Sequence, residues 1–287
     1  MRRRRGRRAA HLPARLFLTL LCAVMLLPVV FTAFYSFFPK SEMSAYLAQR
    51  NNYDETKLLP ILLSPKIATV RQYYTILIED PTYLKLFLNS ALYAGLILVG
   101  QAVFVPMMAY ALSRFRFRGR EALFFLVLAL MLMPFQVTMA PNVIALRTLG
   151  LIDTMWAVVL PMWFSPFYVF LLRQFMLAIP GEMFEAAMID SAGAWRCYWA
   201  VLLPVCRPVL GAAVALSFAD SWNMVEQPLA YLTQQMQMPL SVMFNSLSET
   251  SADVVFAGAA LYSLPMLFIY LYFQEDILQG LQLSELK

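Results

Sequence analysis

Few residues in this 287-residue sequence have the chemistry of a catalyst. The one histidine is His11, set in an arginine-rich tail, so neither a histidine zinc site nor a serine–histidine triad is available. Cys22, Cys197 and Cys206 have no metal-ligand spacing and suggest no disulfide framework. No lysine follows a glycine, which removes the phosphate-cradling Walker A loop. ATP is not bound here by that device. What remains is polar chemistry set in apolar surroundings. Asp220, Trp222, Asn223 and Glu226 lie in or at the end of an apolar segment. Carboxylates in such a place are costly and usually face a pathway or a partner. Solvation near the outer surface and bonding to a partner chain are the alternative readings.

A second group sits in the stretch 179–208, IPGEMFEAAMIDSAGAWRCYWAVLLPVCRP, between two strongly apolar segments. Pro180 suits a helix start, and Glu182 and Glu185 fall in the first turn, where carboxylates meet the positive helix end. Phe184, Ala187 and Met188 recur at helical spacing and form a small apolar face. Ser191-Ala192-Gly193 reads as a turn. Trp195 to Leu203 reads as a second helix, with Pro204 and Pro208 marking the break into the next apolar segment. The expectation is a helix–turn–helix at the membrane surface.

The elements that must position these groups are membrane spans. The chain is 61% hydrophobic and 14% charged, against roughly 25% charged in soluble domains. Its apolar residues come in long blocks. Spans are expected at about 16–38, 86–112, 122–146, 156–172, 209–225 and 253–273. The first is too long and lacks the cleavage site of a signal peptide, so it reads as an uncleaved anchor. Pro134 and Pro141 interrupt the third span, and Pro161 and Pro166 the fourth. Freed backbone carbonyls of that kind are tolerated only inside protein or beside a cavity. Residues 39–85 form a long outer loop containing short helices.

Fifteen of the 22 Lys and Arg fall on one side if the N-terminus is inside, including the basic tail 1–15 and the SRFRFRGRE turn 113–121. Most of the others lie in the long outer loop, where charge counts for less. Six spans with both termini cytoplasmic is the consistent topology. The net charge of +5 belongs to membrane flanks, so nucleic acid is not an expected partner and membrane lipid is.

Glu185-Ala186-Ala187, Asp190, Ala192, Tyr198, Leu203-Pro204 and Pro208 stand in a longer pattern: EAA, two residues, D-G-A, five residues, an aromatic, LP and a last P. This resembles the EAA loop of bacterial ABC-importer permeases. Ser191 stands where that pattern has glycine, and Gly193 is the residue available to take over the turn. The resemblance extends along the chain. The run NSALYAGLILVGQAVFVPMMAYALSRFRFRGRE is similar to the second helix and following turn of the carbohydrate-importing branch. LGLIDTMWAVVLPMWFSPFYVFLLRQFMLAIP is similar to its fourth-helix region, and Ser221-Trp222-Asn223 to its fifth-helix S-W-N. The nearest type is the smaller permease of maltose-like and glycerol-phosphate-like importers.

The resemblance implies an all-α integral membrane fold of six helices, with a coupling helix–turn–helix between the fourth and fifth. It implies a non-enzymatic subunit of a carbohydrate importer in the bacterial inner membrane, working by alternating access. Its partners would be a second homologous permease, two ATP-binding cassette subunits that hold the ATP, and an extracytoplasmic solute-binding protein. No cofactor belongs to this chain. Phe184, Glu185, Ala186, Ala187, Met188, Asp190 and Gly193 would form the ATPase-coupling surface. Asp220, Trp222, Asn223 and Glu226 become candidates for the solute pathway, since a sugar is bound by hydrogen-bonding groups and aromatic faces. A permease of a peptide or anion importer is the alternative, against which the S-W-N and fourth-helix resemblances argue. A stand-alone secondary transporter would need broken helices repeated in matching halves, and no internal repeat is evident.

Overall fold

Proline placement explains where the helices stop. The residue before a proline is pushed toward extended backbone, and the proline itself offers no N–H. Asp80, Met133, Ser165 and Ile179 each precede a proline, and each is extended, with ψ of 96°, 125°, 108° and 130°. Helices end or restart at all four. By contrast Pro28, Pro106, Pro141, Pro161 and Pro265 lie within helices. Of the two prolines expected to interrupt the third span, only Pro134 breaks the helix.

The computed structural model describes residues 12–51, 65–184, 193–246 and 252–284. Every regular element among them is helical: α1 (Leu12–Tyr35), α2 (Lys40–Asn51), α3 (Arg71–Tyr74, continued by a π turn at Thr75–Glu79), α4 (Pro81–Arg114), α5 (Arg120–Leu132), α6 (Phe135–Thr148), α7 (Met155–Met162), α8 (Pro166–Ala178), α9 (Ala194–Val205), α10 (Arg207–Trp222), α11 (Glu226–Tyr231), α12 (Leu240–Ser246) and α13 (Ala252–Ser284). Among the described residues, four helical stretches are long and apolar enough to cross a membrane: Arg15–Tyr35, Pro81–Arg114, Met155–Ala178 and Val254–Gly280. The count rises to six if two bent pairs each form one span. These are α5 with α6, bent by 109°, and α9 with α10, bent by 76°.

The chain divides into two compact units. The first holds residues 1–83 and 247–262. Here α1 presents Leu16, Phe17, Val24 and Met25 outward, as a lipid-facing helix would. Its end is tied to α3: the Tyr73 hydroxyl lies 2.6 Å from Ser36 Oγ, and the Gln72 amide donates to the Phe38 carbonyl. The Tyr83 hydroxyl donates to the Gly258 carbonyl at 2.6 Å. The segment expected as an outer loop therefore carries the helices α2 and α3.

The second unit holds residues 84–246 and 263–287. Its apolar core is built from α4, α5, α8, α9 and α10, with Val105, Val127, Val169, Leu172, Leu202 and Val209 buried. Close approach is set by two glycines. A Cβ at Gly100 would overlap the Trp163 indole, and one at Gly211 would overlap the Asp276 carboxylate. The Trp163 indole cannot simply swing away, because its N–H donates to the Leu96 carbonyl at 3.0 Å. The turn before α5 uses Gly119 at φ +88°, a conformation only glycine adopts without strain.

Candidate functional site

Two regions of the second unit hold the candidate site residues. The first is the base of the stretch 179–208. Glu185, Ala186, Ala187, Met188 and Asp190 lie outside the described residues, as does Ser191. Phe184 and Gly193, which flank them, are described. Leading into this stretch, α8 ends at Ala178 because Ile179 precedes Pro180, and residues 181–184 are helical. Leading out of it, α9 begins just after Gly193 and holds Trp195 and Trp199 exposed around a buried Tyr198.

Both sides of the stretch are bound by the last turns of α4. The Arg114 guanidinium donates to the carbonyls of Met176 and of Ile179, the latter at 2.9 Å. It also lies 3.9 Å from the centre of the Phe184 ring, a cation–π contact. One turn earlier, the Tyr110 hydroxyl donates to the Ala194 carbonyl at 3.1 Å. The Tyr110 ring meets Tyr198 at 5.5 Å, and Tyr198 stacks on Trp195 at 5.6 Å. Phe184 is thus half-buried against the core with one ring face covered. Nearby, Arg173 is buried: it donates to the Leu112 carbonyl, sits 3.6 Å from the Phe124 ring centre and pairs with Glu121 at 3.4 Å.

The second region is the polar side of α10. The helix sorts its residues by face. Ser217, Phe218, Ser221 and Trp222 are buried, whereas Leu216, Asp220 and Asn223 are exposed along one i, i+4, i+7 stripe. On the buried side, Ser217 Oγ bonds the Gln101 amide oxygen, and the Gln101 amide N–H donates to the Met162 carbonyl at 2.6 Å. That carbonyl belongs to the last turn of α7, where no intrahelical donor follows. Asp220 accepts a hydrogen bond from the Tyr168 hydroxyl at 2.7 Å. Asn223 donates to the Ala219 carbonyl at 2.9 Å, and Glu226 accepts from the Gln136 amide at 2.7 Å.

Trp222 departs from the sequence expectation. Its exposure is 1%, and its ring stacks on Phe218 at 5.3 Å and meets Phe87 edge-on at 5.5 Å. No indole face is available to a sugar, so Trp222 is a packing residue in this arrangement. Asp220, Asn223 and Glu226 remain at the surface. Sequence reasoning overlooked Gln101, Ser217 and Tyr110, and took Arg114 only as a mark of topology. Gln101 had a visible signal, a lone amide inside a long apolar run. Tyr110 and Arg114, four residues apart on one helix, carried none that points to a loop far along the chain.

Comparison with known proteins covers both regions. A family model described as binding-protein-dependent transport system inner membrane component matches residues 102–280. The arabinooligosaccharides transport system permease protein AraQ of Bacillus subtilis (strain 168) is 29% identical over 275 residues, covering 95% of this chain and 94% of that protein. The sn-glycerol-3-phosphate transport system permease protein UgpE of Yersinia pestis is 32% identical over 206 residues, covering 70% and 73%. Among solved structures, a bacterial ABC transporter involved in the import of the acidic polysaccharide alginate has a chain of the same fold. Its TM-score is 0.77 at 23% identity, over 94% of this chain and 97% of that one.

Proposed function

The chain belongs to the family of binding-protein-dependent transport system inner membrane components, and from that premise we propose that it is the smaller permease of a carbohydrate ABC importer. The observation that carries the proposal is the family match over residues 102–280, which runs through the whole stretch 179–208. The relatives named for arabinooligosaccharides and for sn-glycerol-3-phosphate support a polyhydroxylated solute.

In this reading residues 1–15 are a cytoplasmic tail, and 16–287 form the transmembrane domain with six spans and both termini inside. Alone, α5 and α6 are too short to cross: 13 and 14 residues rise about 20 Å each, against a hydrocarbon core of about 30 Å. They are read together as the third span, broken at Pro134, while the fifth span, about 209–225, lies in α10 beyond the surface stretch 179–208. The partners are a second permease, two ATP-binding cassette subunits and an extracytoplasmic binding protein.

The residues then divide by role. Ala187 and Met188, with Glu185 and Ala186, dock on the ATPase. Asp190 and Gly193 shape the turn, and Phe184 anchors the docking segment to the core. Asp220, Asn223 and Glu226 offer hydrogen-bonding groups along the pathway. Closure of the ATPases on ATP moves the docking segment, and the spans follow as a bistable body.

The test is cysteine crosslinking in membranes. One cysteine replaces Ala187 or Met188 in a background lacking Cys22, Cys197 and Cys206, with the neighbouring genes co-expressed. Cys22 is included because it is the exposed one. The expected result is an ATP-sensitive crosslink to an ATPase-sized partner. An assembled complex that yields no such crosslink would overturn the reading.

A further inference from the structure

The docking segment has two feet, one at Ile179–Phe184 and one at Ala194, and a single helix end holds both. We propose that Arg114 and Tyr110 are positioning residues that make α4 the element through which the docking segment moves the pathway. The inference rests on the importer reading above and names the connection that reading lacks.

Consider the first foot. After Ala178 the backbone is extended at Ile179, so no continuous helix stiffens the join. One side chain spans the gap. Arg114 holds the Met176 carbonyl in the last turn of α8, the Ile179 carbonyl in the break, and the Phe184 ring beyond it. The guanidinium bonds two carbonyls through one nitrogen while its plane covers a ring face; a lysine ammonium has donors for the carbonyls but no plane to lay on the ring. Arg114 Nε is buried without an acceptor among the described residues.

The second foot is held from the same face of α4. Tyr110 and Arg114 are four residues apart and so stand one above the other. The Tyr110 hydroxyl fixes the Ala194 carbonyl, at the first residue of α9. The helix runs unbroken back through Pro106 to Gln101, about 20 Å away. There Gln101 bonds both Met162 of α7 and Ser217 of α10. One helix therefore grips the feet at one end and the pathway helix at the other, so a displacement of the feet need not pass through the thin bend between α9 and α10.

The experiment uses the assembled complex with a reporter on α10. Leu216→Cys lies on the same stripe as Asp220 and is 43% exposed. Its labelling by N-ethylmaleimide is compared between the nucleotide-free and ATP–vanadate states. Arg114→Gln, Arg114→Lys and Tyr110→Phe are each tested in this background, alongside ATP hydrolysis and the Ala187→Cys crosslink. The expected result is that crosslink and hydrolysis persist, while the ATP-driven change in labelling shrinks about threefold to thirtyfold in Arg114→Gln. Arg114→Lys does not restore it, and Tyr110→Phe shows a smaller loss. A labelling change equal to wild type in Arg114→Gln and Tyr110→Phe would overturn the inference and leave the importer reading standing. Absence of the crosslink with Arg114 and Tyr110 intact would instead strike the reading itself. Should Arg114→Gln fail to assemble, Tyr110→Phe decides, since it removes one hydroxyl and keeps the ring.

Discussion

The flanks of the stretch 179–208 and the polar side of α10 are held by opposite strategies. At the feet, long side chains from one helix end bind backbone carbonyls: those around the proline break at Ile179, and that of Ala194, which the Tyr198 N–H also bonds. Along α10, Ser217 and Asp220 bond side chains of neighbouring helices, and the helix period decides which groups are hidden. The first strategy tolerates movement, because a guanidinium keeps some of its bonds while the backbone shifts. The second fixes positions, because Ser217, Gln101 and Trp222 are buried, where displacement forfeits contacts and hydrogen bonds. A transporter that couples a moving surface to a shaped pathway has use for both. Substitutions sort the two regions by whether they cost stability or coupling.

The largest expected effect is on the fixed side. Trp222→Ala removes a buried indole packed between Phe218 and Phe87, and about 3–5 kcal/mol of stability is expected to go with it. The measurement is the thermal midpoint of the purified complex, with uptake kinetics for the sugar its binding protein delivers. A clear drop in midpoint with an unchanged KM is the expected pattern. A raised KM at unchanged stability would move Trp222 back to the pathway and blur the contrast between buried and exposed sides of α10.

Gly100 comes next. Gly100→Ala forces a Cβ into the Trp163 indole, which is itself tied to the Leu96 carbonyl. Overpacking of this kind typically costs about 1–3 kcal/mol. Gly95→Ala on the same helix is the control, since a Cβ there meets nothing within 4 Å. Its expected effect is neutral to slightly stabilising, because alanine is the better helix former by about 1 kcal/mol. Equal losses at the two positions would mean that α4 tolerates no side chain on either face and would remove the case for a specific α4–Trp163 contact.

These residues also show what the sequence could and could not convey. The membrane class, the run of apolar helices and the helix after Gly193 follow from apolar blocks and proline positions, which are local properties. So does the break at Pro134. That Pro141 leaves its helix intact is not local, because it depends on whether neighbours satisfy the freed carbonyl. The EAA pattern singled out the stretch 179–208, since its spacing lies within one run of chain. The clamp on that segment was illegible for the complementary reason: Arg114 and Ala194 are 80 positions apart, and an arginine beside a membrane span reads equally well as a topology mark. The burial of Trp222 was not legible, because composition gives a residue's chemistry but not its helix face, and a one-residue step from Asn223 leads from the surface to the core.

The smallest effect separates two roles for one carboxylate. Asp220 accepts the Tyr168 hydroxyl at 2.7 Å and is itself exposed. If anchoring Tyr168 were its whole task, Asp220→Asn and Tyr168→Phe would act alike, each costing about 1 kcal/mol, and the double variant would cost little more than either. Uptake would not distinguish them. If the second carboxylate oxygen also meets solute hydroxyls, the two part company: Asp220→Asn loses a charged acceptor facing the pathway, whereas Tyr168→Phe leaves that carboxylate in place. The expected outcome is similar stability for both single variants, with KM raised in Asp220→Asn and near wild type in Tyr168→Phe. Matching KM values would make Asp220 a partner of Tyr168 alone and leave Asn223 and Glu226 as the remaining candidates for the pathway.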